Sequence, residues 1–259
     1  MKTQRAFDVL GNIAIVNFPK DFKLKDKKKF AEKLLKEQKP IKTVLEKRGK
    51  VKGRLRKIST KYLAGENTKE VLYKENGCVF RFNVDTTYFS PRLSNERKEI
   101  ASKIKKGDEV LVMFAGIAPF SIVIAKNSKA KKVVSVEINR EANKYAKLNV
   151  ELNKLKNRVE VVQGNIKRVA EKIKYKFDVI VMPRPKLKES FLEQAFMLSK
   201  KRTRIYYYDF CKVGEEYSVV EKIKEEARRA KKKIKILKIK PAGEIAPYKI
   251  RLRVDFEIV

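Results

Sequence analysis

The segment Tyr88-Phe-Ser-Pro-Arg92-Leu-Ser-Asn-Glu96-Arg97 gathers a phenol, two guanidinium groups and a carboxylate within ten residues. A carboxylate can take a proton from a reacting group, and an aromatic ring can hold a flat substrate against it. Just downstream, Val110-Leu-Val-Met-Phe114-Ala115-Gly116-Ile-Ala118-Pro-Phe120 reads as an apolar strand, a turn of small residues and the start of a helix. That order brings backbone N–H groups beside a bound cofactor in nucleotide-type sites of α/β folds. The chain contains no histidine. Imidazole shuttles, Ser-His triads and the usual zinc ligand sets are therefore excluded, and a carboxylate or tyrosine must move any proton.

The partner is indicated by charge. Lys and Arg number 65 against 31 Asp and Glu, a net charge of +34 over 259 residues. Such a field favours a polyanion, above all nucleic acid. A thermophile surface is the competing reading, but it should raise both signs together. Hydrophobic residues make up 43% of the chain, enough for a substantial core. Cys78 and Cys211 lack metal or redox spacing, which predicts reduced thiols in a cytoplasmic protein. No apolar run reaches the length of a membrane span, and no leader-like segment follows Met1. A soluble monomer without metal is expected.

The elements that must position these residues change character near residue 98. From 99 onward, strand-like runs at Glu109–Phe114, Lys132–Glu137, Arg158–Val162, Phe177–Met182, Arg204–Phe210, Ile234–Ile239 and Ile250–Val259 alternate with helical segments such as Arg140–Leu155 and Tyr217–Lys232. Strands separated by helices predict a parallel sheet covered on both faces. The last two are joined only by Lys240–Pro247 and should pair antiparallel. The outline is that of a class I S-adenosylmethionine-dependent methyltransferase, an α/β Rossmann-like fold with a seven-stranded sheet. Residues 1–98 predict a small α+β domain rich in Lys and Arg, with no obvious catalytic centre of its own. It should comprise a strand over Val9–Phe18, a helix over Lys27–Lys39, strands within Thr43–Lys57, and a hairpin over Val71–Val84 turning near Glu75-Asn-Gly77. Residues 99–259 predict the cofactor domain.

In that outline the loop Phe114-Ala115-Gly116 wraps the methionine part of the cofactor. Glu137, about 20 residues past the glycine, is placed to accept the ribose hydroxyls, with Ile138 beside it. Glu137 could equally be an ordinary strand end, with Asn139 capping the next helix. Gly164-Asn165 sits where the adenine is contacted, or forms a plain Gly-Asn turn. In Met182-Pro183-Arg184-Pro185-Lys186 the prolines suit a rigid wall beside a flat base, or simply end a strand. Arg184 and Lys186 add positive charge at the mouth.

Over nearly its whole length the chain resembles the archaeal and eukaryotic tRNA (guanine-37-N1) methyltransferases. The stretches that carry this are Gly11-Asn-Ile-Ala-Ile, Ile41-Lys-Thr-Val-Leu, Tyr62-Leu-Ala-Gly-Glu66, the Tyr88–Arg97 segment, Met113–Phe120, Arg204-Ile-Tyr-Tyr-Tyr-Asp-Phe210 and Ala246-Pro-Tyr248. Several positions depart from the family pattern. Val112 stands where an acid is usual, Ala118 replaces the second glycine, and Asn165 replaces an aspartate. Pro183-Arg184-Pro185-Lys186 replaces Asn/Pro-Leu-Pro-Lys. No counterpart of the family's extra N-terminal module is expected.

The resemblance implies methyl transfer from S-adenosylmethionine to N1 of guanosine 37 in tRNA. Glu96 would be the base, Arg56 would stabilise charge on O6, and Tyr88 would hold the flipped-out guanine. Arg92, Arg97, Pro185 and Lys186 would contact the substrate. From position alone, Glu96 could instead pair with Arg92 on a helix surface. The competing functions are a wybutosine-pathway aminocarboxypropyl transferase, a methyltransferase acting on a tricyclic guanosine, and a non-catalytic basic RNA-binding protein.

Overall fold

The computed structural model describes residues 7–53 and 57–259. Contacts divide the chain between Pro91 and Arg92.

In the first unit, β1 (Phe7–Leu10) and β2 (Ile13–Val16) form an antiparallel hairpin. The single strand expected over Val9–Phe18 is thus two. Gly11 turns the chain at φ +55°, and a Cβ there would lie 1.9 Å from the Leu72 carbonyl oxygen. Asn12 completes the turn by accepting the Leu72 N–H at 2.8 Å. Helix α1 (Leu24–Glu37) crosses over to β3 (Thr43–Lys52), parallel to β2, and β4 (Lys57–Gly65) returns antiparallel. Ala31 and Leu34 of α1 pack on Ala14, Val16, Val44 and Leu63. The expected hairpin is present as β5 (Glu70–Glu75) and β6 (Cys78–Asn83). Asn76 and Gly77 both take left-handed φ values, the turn whose twist matches paired strands. Phe80, Phe82 and Tyr73 gather around Phe89.

The second unit begins before the expected boundary at 98, which would cut helix α2 (Ser94–Ser102). Alternating strands and helices follow: β7 (Glu109–Met113), α3 (Pro119–Asn127), β8 (Lys132–Glu137), α4 (Arg140–Leu152), β9 (Val159–Gln163), α5 (Ile166–Lys172) and β10 (Phe177–Met182). Next come α6 (Leu192–Met197), β11 (Ser199–Lys212), α7 (Glu216–Arg229), β12 (Ile234–Ala246) and β13 (Lys249–Ile258). The sheet order is β12-β13-β11-β10-β7-β8-β9. Strands β7 to β11 pair in parallel, and β13 runs antiparallel to both neighbours. This is the strand order of the class I methyltransferase outline.

The central parallel strands β7 and β10 read as near-continuous apolar runs because both faces are covered. Val110 to Met113 and Val179 to Met182 are all 0% exposed. The chain winds outward from β7 through β8 to β9, then resumes on the other side of β7 with β10. In open sheets of this kind ligands bind where the winding reverses, here at the carboxyl ends of β7 and β10. The Lys240–Pro247 connector proves to be mostly strand: β12 extends through it, with register shifts around Pro241 and Glu244. Pro241 lacks an N–H and Gly243 takes φ +116°, so the ladder is irregular there.

Candidate active site

The carboxyl ends of β7, β8 and β9 meet at Glu137. Its Oε2 accepts the Gly116 N–H at 2.8 Å, and its Oε1 accepts the Asn139 N–H at 2.7 Å. Its backbone carbonyl accepts the Gly164 N–H at 2.8 Å. One side chain therefore ties the turn after β7 to the end of β8. That turn is tightly coiled: Phe114, Gly116 and Ala118 have φ of 56°, 58° and 67°. Only the glycine adopts this region freely, and an alanine there costs about 1–2 kcal/mol. Strained non-glycine residues persist where the surroundings over-determine them, as they do at functional sites. Ala118 ends the turn and Pro119 starts α3, whose fixed φ suits a first helical position.

The neighbouring expectations resolve individually. Asn139 caps α4 by accepting the Glu141 N–H, and Asn165 caps α5 by accepting that of Lys167. Ile138 is 38% exposed beside Glu137, an apolar surface next to a carboxylate. Val112 lies in the centre of the sheet, in register with Val181 and Ser135. The donor set at this edge fits S-adenosylmethionine: a carboxylate for the ribose, an exposed aliphatic side chain, and a turn of small residues that backbone can bring close.

After β10, Pro183 and Pro185 are half-buried and Lys186 is exposed. Arg184 corrects the expectation of charge at the mouth, being only 2% exposed. Its guanidinium pairs with Asp209, donates to the carbonyls of Leu187 and Glu189 at 2.6 Å each, and lies over the Tyr207 ring. A buried guanidinium needs such partners to offset its desolvation. Asp209 also holds Lys222 and the Tyr207 hydroxyl, both at 2.9 Å. Burial raises the Asp209 carboxyl, but Arg184 and Lys222 outweigh it and hold it below the usual aspartate range. The loop wall is braced from inside by Arg184.

Glu96, on α2, is 5% exposed. The helix-surface partner weighed for it, Arg92, is not the one it takes. Its Oε2 accepts from the Tyr208 hydroxyl at 2.9 Å and Arg253 Nη1 at 2.6 Å, and its Oε1 accepts from Lys240 Nζ at 3.0 Å. Arg253 Nη2 and Lys240 Nζ both donate to Glu99, each at 2.5 Å, and Arg253 Nε donates to Asp255 at 2.7 Å. Lys103 adds a third cation, 3.5 Å from Asp255 and 3.9 Å from Glu99. Three carboxylates thus face three cations. Hydrogen bonding from Arg253 brings the Glu99 carboxyl down to about 2 despite its burial. Burial pushes the Tyr208 phenol well up, so it remains a neutral donor to Glu96. Glu99 and Glu96 together raise the Lys240 ammonium.

Sequence reasoning missed Glu99, Tyr208, Lys240 and Arg253. Their signal was available: Lys249, Arg251, Arg253, Asp255 and Glu257 alternate with apolar residues along one strand. Charges spaced that way in a strand flanked on both sides must be paired. Of the expected substrate contacts, Arg92 and Lys186 are exposed. Arg97 is not, being 1% exposed with its guanidinium 5.8 Å from the Phe120 ring centre. Tyr88 is half-buried in the first unit, and Arg56 lies outside the described residues. Among the described residues no cluster of three or more His, Cys, Asp or Glu is placed to hold a metal, and no helix is long and apolar enough to cross a membrane.

Residues 71–237 match the model of the TRM5/TYW2 methyltransferase domain, and residues 2–68 match that of the TYW2 N-terminal domain. The chain is 34% identical over 254 residues to the tRNA (guanine(37)-N(1))-methyltransferase Trm5b of Pyrococcus abyssi, spanning 98% of this chain and 74% of that protein. The crystal structure of that Trm5b superposes with a TM-score of 0.85, 35% identity and the same coverage. The chain is 32% identical to the tRNA (guanine(37)-N(1))/4-demethylwyosine(37)-methyltransferase Taw22 of Nanoarchaeum equitans, spanning 98% of this chain and all of that one. A structure of the complex of aTrm5 and tRNALeu gives a TM-score of 0.84 at 30% identity, over 98% of this chain and 72% of that one.

Proposed function

The chain belongs to the TRM5/TYW2 methyltransferase family, and from that premise we propose that it transfers a methyl group from S-adenosylmethionine to N1 of guanosine 37 in tRNA. The observation that carries this reading is Glu96, a carboxylate on α2 held with one oxygen in a buried cradle of Tyr208 and Arg253. S-adenosylmethionine, when bound, supplies an electrophilic methyl on a sulfonium. Glu137 would accept its ribose hydroxyls, Ile138 and Asn165 would flank its adenine, and the turn Phe114-Ala115-Gly116 would line its methionine part, with Pro183 on the far side. Glu96 takes the proton of guanine N1, leaving the bonding pair on nitrogen for attack. Tyr88 holds the guanine, and Arg56 stabilises charge moving onto O6. Alignment and deprotonation are the protein's contribution.

The excess of 34 positive charges supports tRNA as the partner, with Arg92, Lys186 and Pro185 at its contact surface. On this reading the protein works as a cytoplasmic monomer, with the small N-terminal domain supporting RNA binding. Incubation with labelled cofactor and unmodified tRNA, followed by nucleoside mass spectrometry, tests it. The expected product is 1-methylguanosine. A heavier adduct would mean aminocarboxypropyl transfer, and absence of cofactor binding by calorimetry would leave only an RNA-binding role. A second activity on 4-demethylwyosine is supported by the match to the whole length of Taw22. Offering tRNA carrying that nucleoside tests it directly.

A further inference from the structure

The two oxygens of Glu96 are engaged unequally. Oε2 is held by Tyr208 and Arg253, two side chains that are themselves 0% exposed. Arg253 is further fixed by Glu99 and Asp255. Nothing in that cradle can move without leaving a buried charge uncompensated. Oε1 faces Lys240, which sits on β12 at the edge of the sheet with its side chain 35% exposed. The same ammonium touches Glu99 at 2.5 Å. Lys240 can therefore release Glu96 and keep a partner.

We propose that Lys240 is a positioning residue that gates Glu96: it occupies Oε1 in the resting protein and withdraws onto Glu99 when the guanine arrives, so that Oε1 receives the proton. The proposal rests on Glu96 being the base. In the step, the N1–H bond breaks and its proton bonds to Oε1. The pair left on N1 forms the bond to the methyl carbon, and the carbon–sulfur pair stays on sulfur.

Why a lysine serves here follows from its geometry. An ammonium is a compact charge with three rotatable donors, so it can pivot between neighbouring carboxylates, whereas a guanidinium fork binds in one plane. Lys240 lies directly across the ladder from Arg253. Like charges so placed repel unless carboxylates intervene. Glu96, Glu99 and Asp255 intervene here, and protonating Glu96 removes one of them as Lys240 moves to Glu99. While bound to Oε1 the ammonium occupies the atom that must receive the proton, and withdrawing onto Glu99 clears that oxygen for the N1–H. The charged and titratable groups around Glu96 are Arg97, Glu99 and Lys103 on or next to α2, Tyr208 on β11, Lys240 on β12, and Arg253 and Asp255 on β13.

Three variants test the gate through single-turnover rates against pH, with cofactor and tRNA dissociation constants measured separately. Lys240→Met is expected to move the acid limb of the rate profile up by about one pH unit, the size of a lost neighbouring charge. The rate below the limb then falls about tenfold, the rate above it is undiminished, and both dissociation constants stay as in the wild type. Lys240→Arg keeps the charge but cannot pivot, so its limb stays put and its plateau falls several-fold. Lys240→Gln serves in place of the methionine variant if that one does not fold. An unmoved acid limb in the uncharged variant, or a weakened tRNA affinity with an unchanged rate, overturns the gate. Glu96→Gln separates the two readings: if it is inactive while the acid limb of Lys240→Met is unmoved, the base stands without the gate. If it retains near-wild-type rate, the base is lost and the gate with it.

Discussion

Glu137 and Glu96 are both carboxylates of the second unit, and they are held by different means. Glu137 accepts backbone amides, one on each oxygen, from Gly116 and Asn139. Those donors are set by the course of the main chain and cannot swing away. Glu96 accepts from side chains, two of them charged, brought in by β11, β12 and β13. A backbone-held carboxylate suits recognition of a ligand that is the same every cycle. A carboxylate held by side-chain cations has a basicity that depends on where those cations stand, which suits a group that must gain and lose a proton.

Four measurements can break or sharpen that contrast. The largest effect is expected at Glu96→Gln, where the single-turnover rate should fall by about 10²–10⁴-fold, the usual contribution of a general base, with cofactor affinity unchanged. A fall in cofactor affinity instead would mean the two glutamates share one role. Arg253→Met leaves Glu96, Glu99 and Asp255 short of a buried cation and should cost about 3–5 kcal/mol in denaturant unfolding. A loss below 1 kcal/mol would show the cradle to be solvated. Glu137→Ala removes charge-assisted acceptors for a ligand and should weaken cofactor binding by about 10–100-fold, equivalent to roughly 1.5–3 kcal/mol. Calorimetric titration reads it, and the rate at saturating cofactor should change little. The smallest effect is Ala118→Gly, which relieves a left-handed alanine at the cost of a freer unfolded chain. A net gain of about 0.5–1 kcal/mol is expected by thermal unfolding.

Acid adds a further test of the Glu96 cluster. The Glu99 carboxyl is depressed from 4.5 to about 2 by its bond to Arg253. A depressed carboxylate stabilises the fold fully above its unfolded value and loses that contribution as pH falls through the folded one. Stability of the wild type should therefore drop between pH 4.5 and 2, and Glu99→Gln should be less stable at neutral pH yet flatter across that window. Parallel curves for the two proteins would remove Glu99 from the network.

Much of the fold was legible because it depends on neighbours in the chain. The Val/Ile runs at Lys132–Glu137 and Phe177–Met182 announce strands with the bounds observed. Asn76-Gly77 announces a hairpin turn because few other pairs accept two left-handed residues. Glu137 was legible from its distance past Gly116, since that spacing is a property of the strand–helix–strand unit. Val9–Phe18 misled because Gly11 is needed for a close approach by Leu72, far along the chain. Arg184 misled for the same reason: in a loop it reads as solvent-facing, and only Asp209, Tyr207 and two carbonyls reveal that it is buried.

By itself the sequence determined the alternation of strands and helices, the polyanion-seeking charge, and a chemistry without histidine, all of which follow from composition and local periodicity. It also singled out Glu96 and Glu137 as candidates for the site. Only the tertiary structure decided what surrounds Glu96. Its partners lie 112, 144 and 157 residues away, on three strands whose adjacency comes from the sheet order rather than from chain order. A carboxylate's basicity is fixed by the charges within a few ångströms of it, and those charges are assembled by packing.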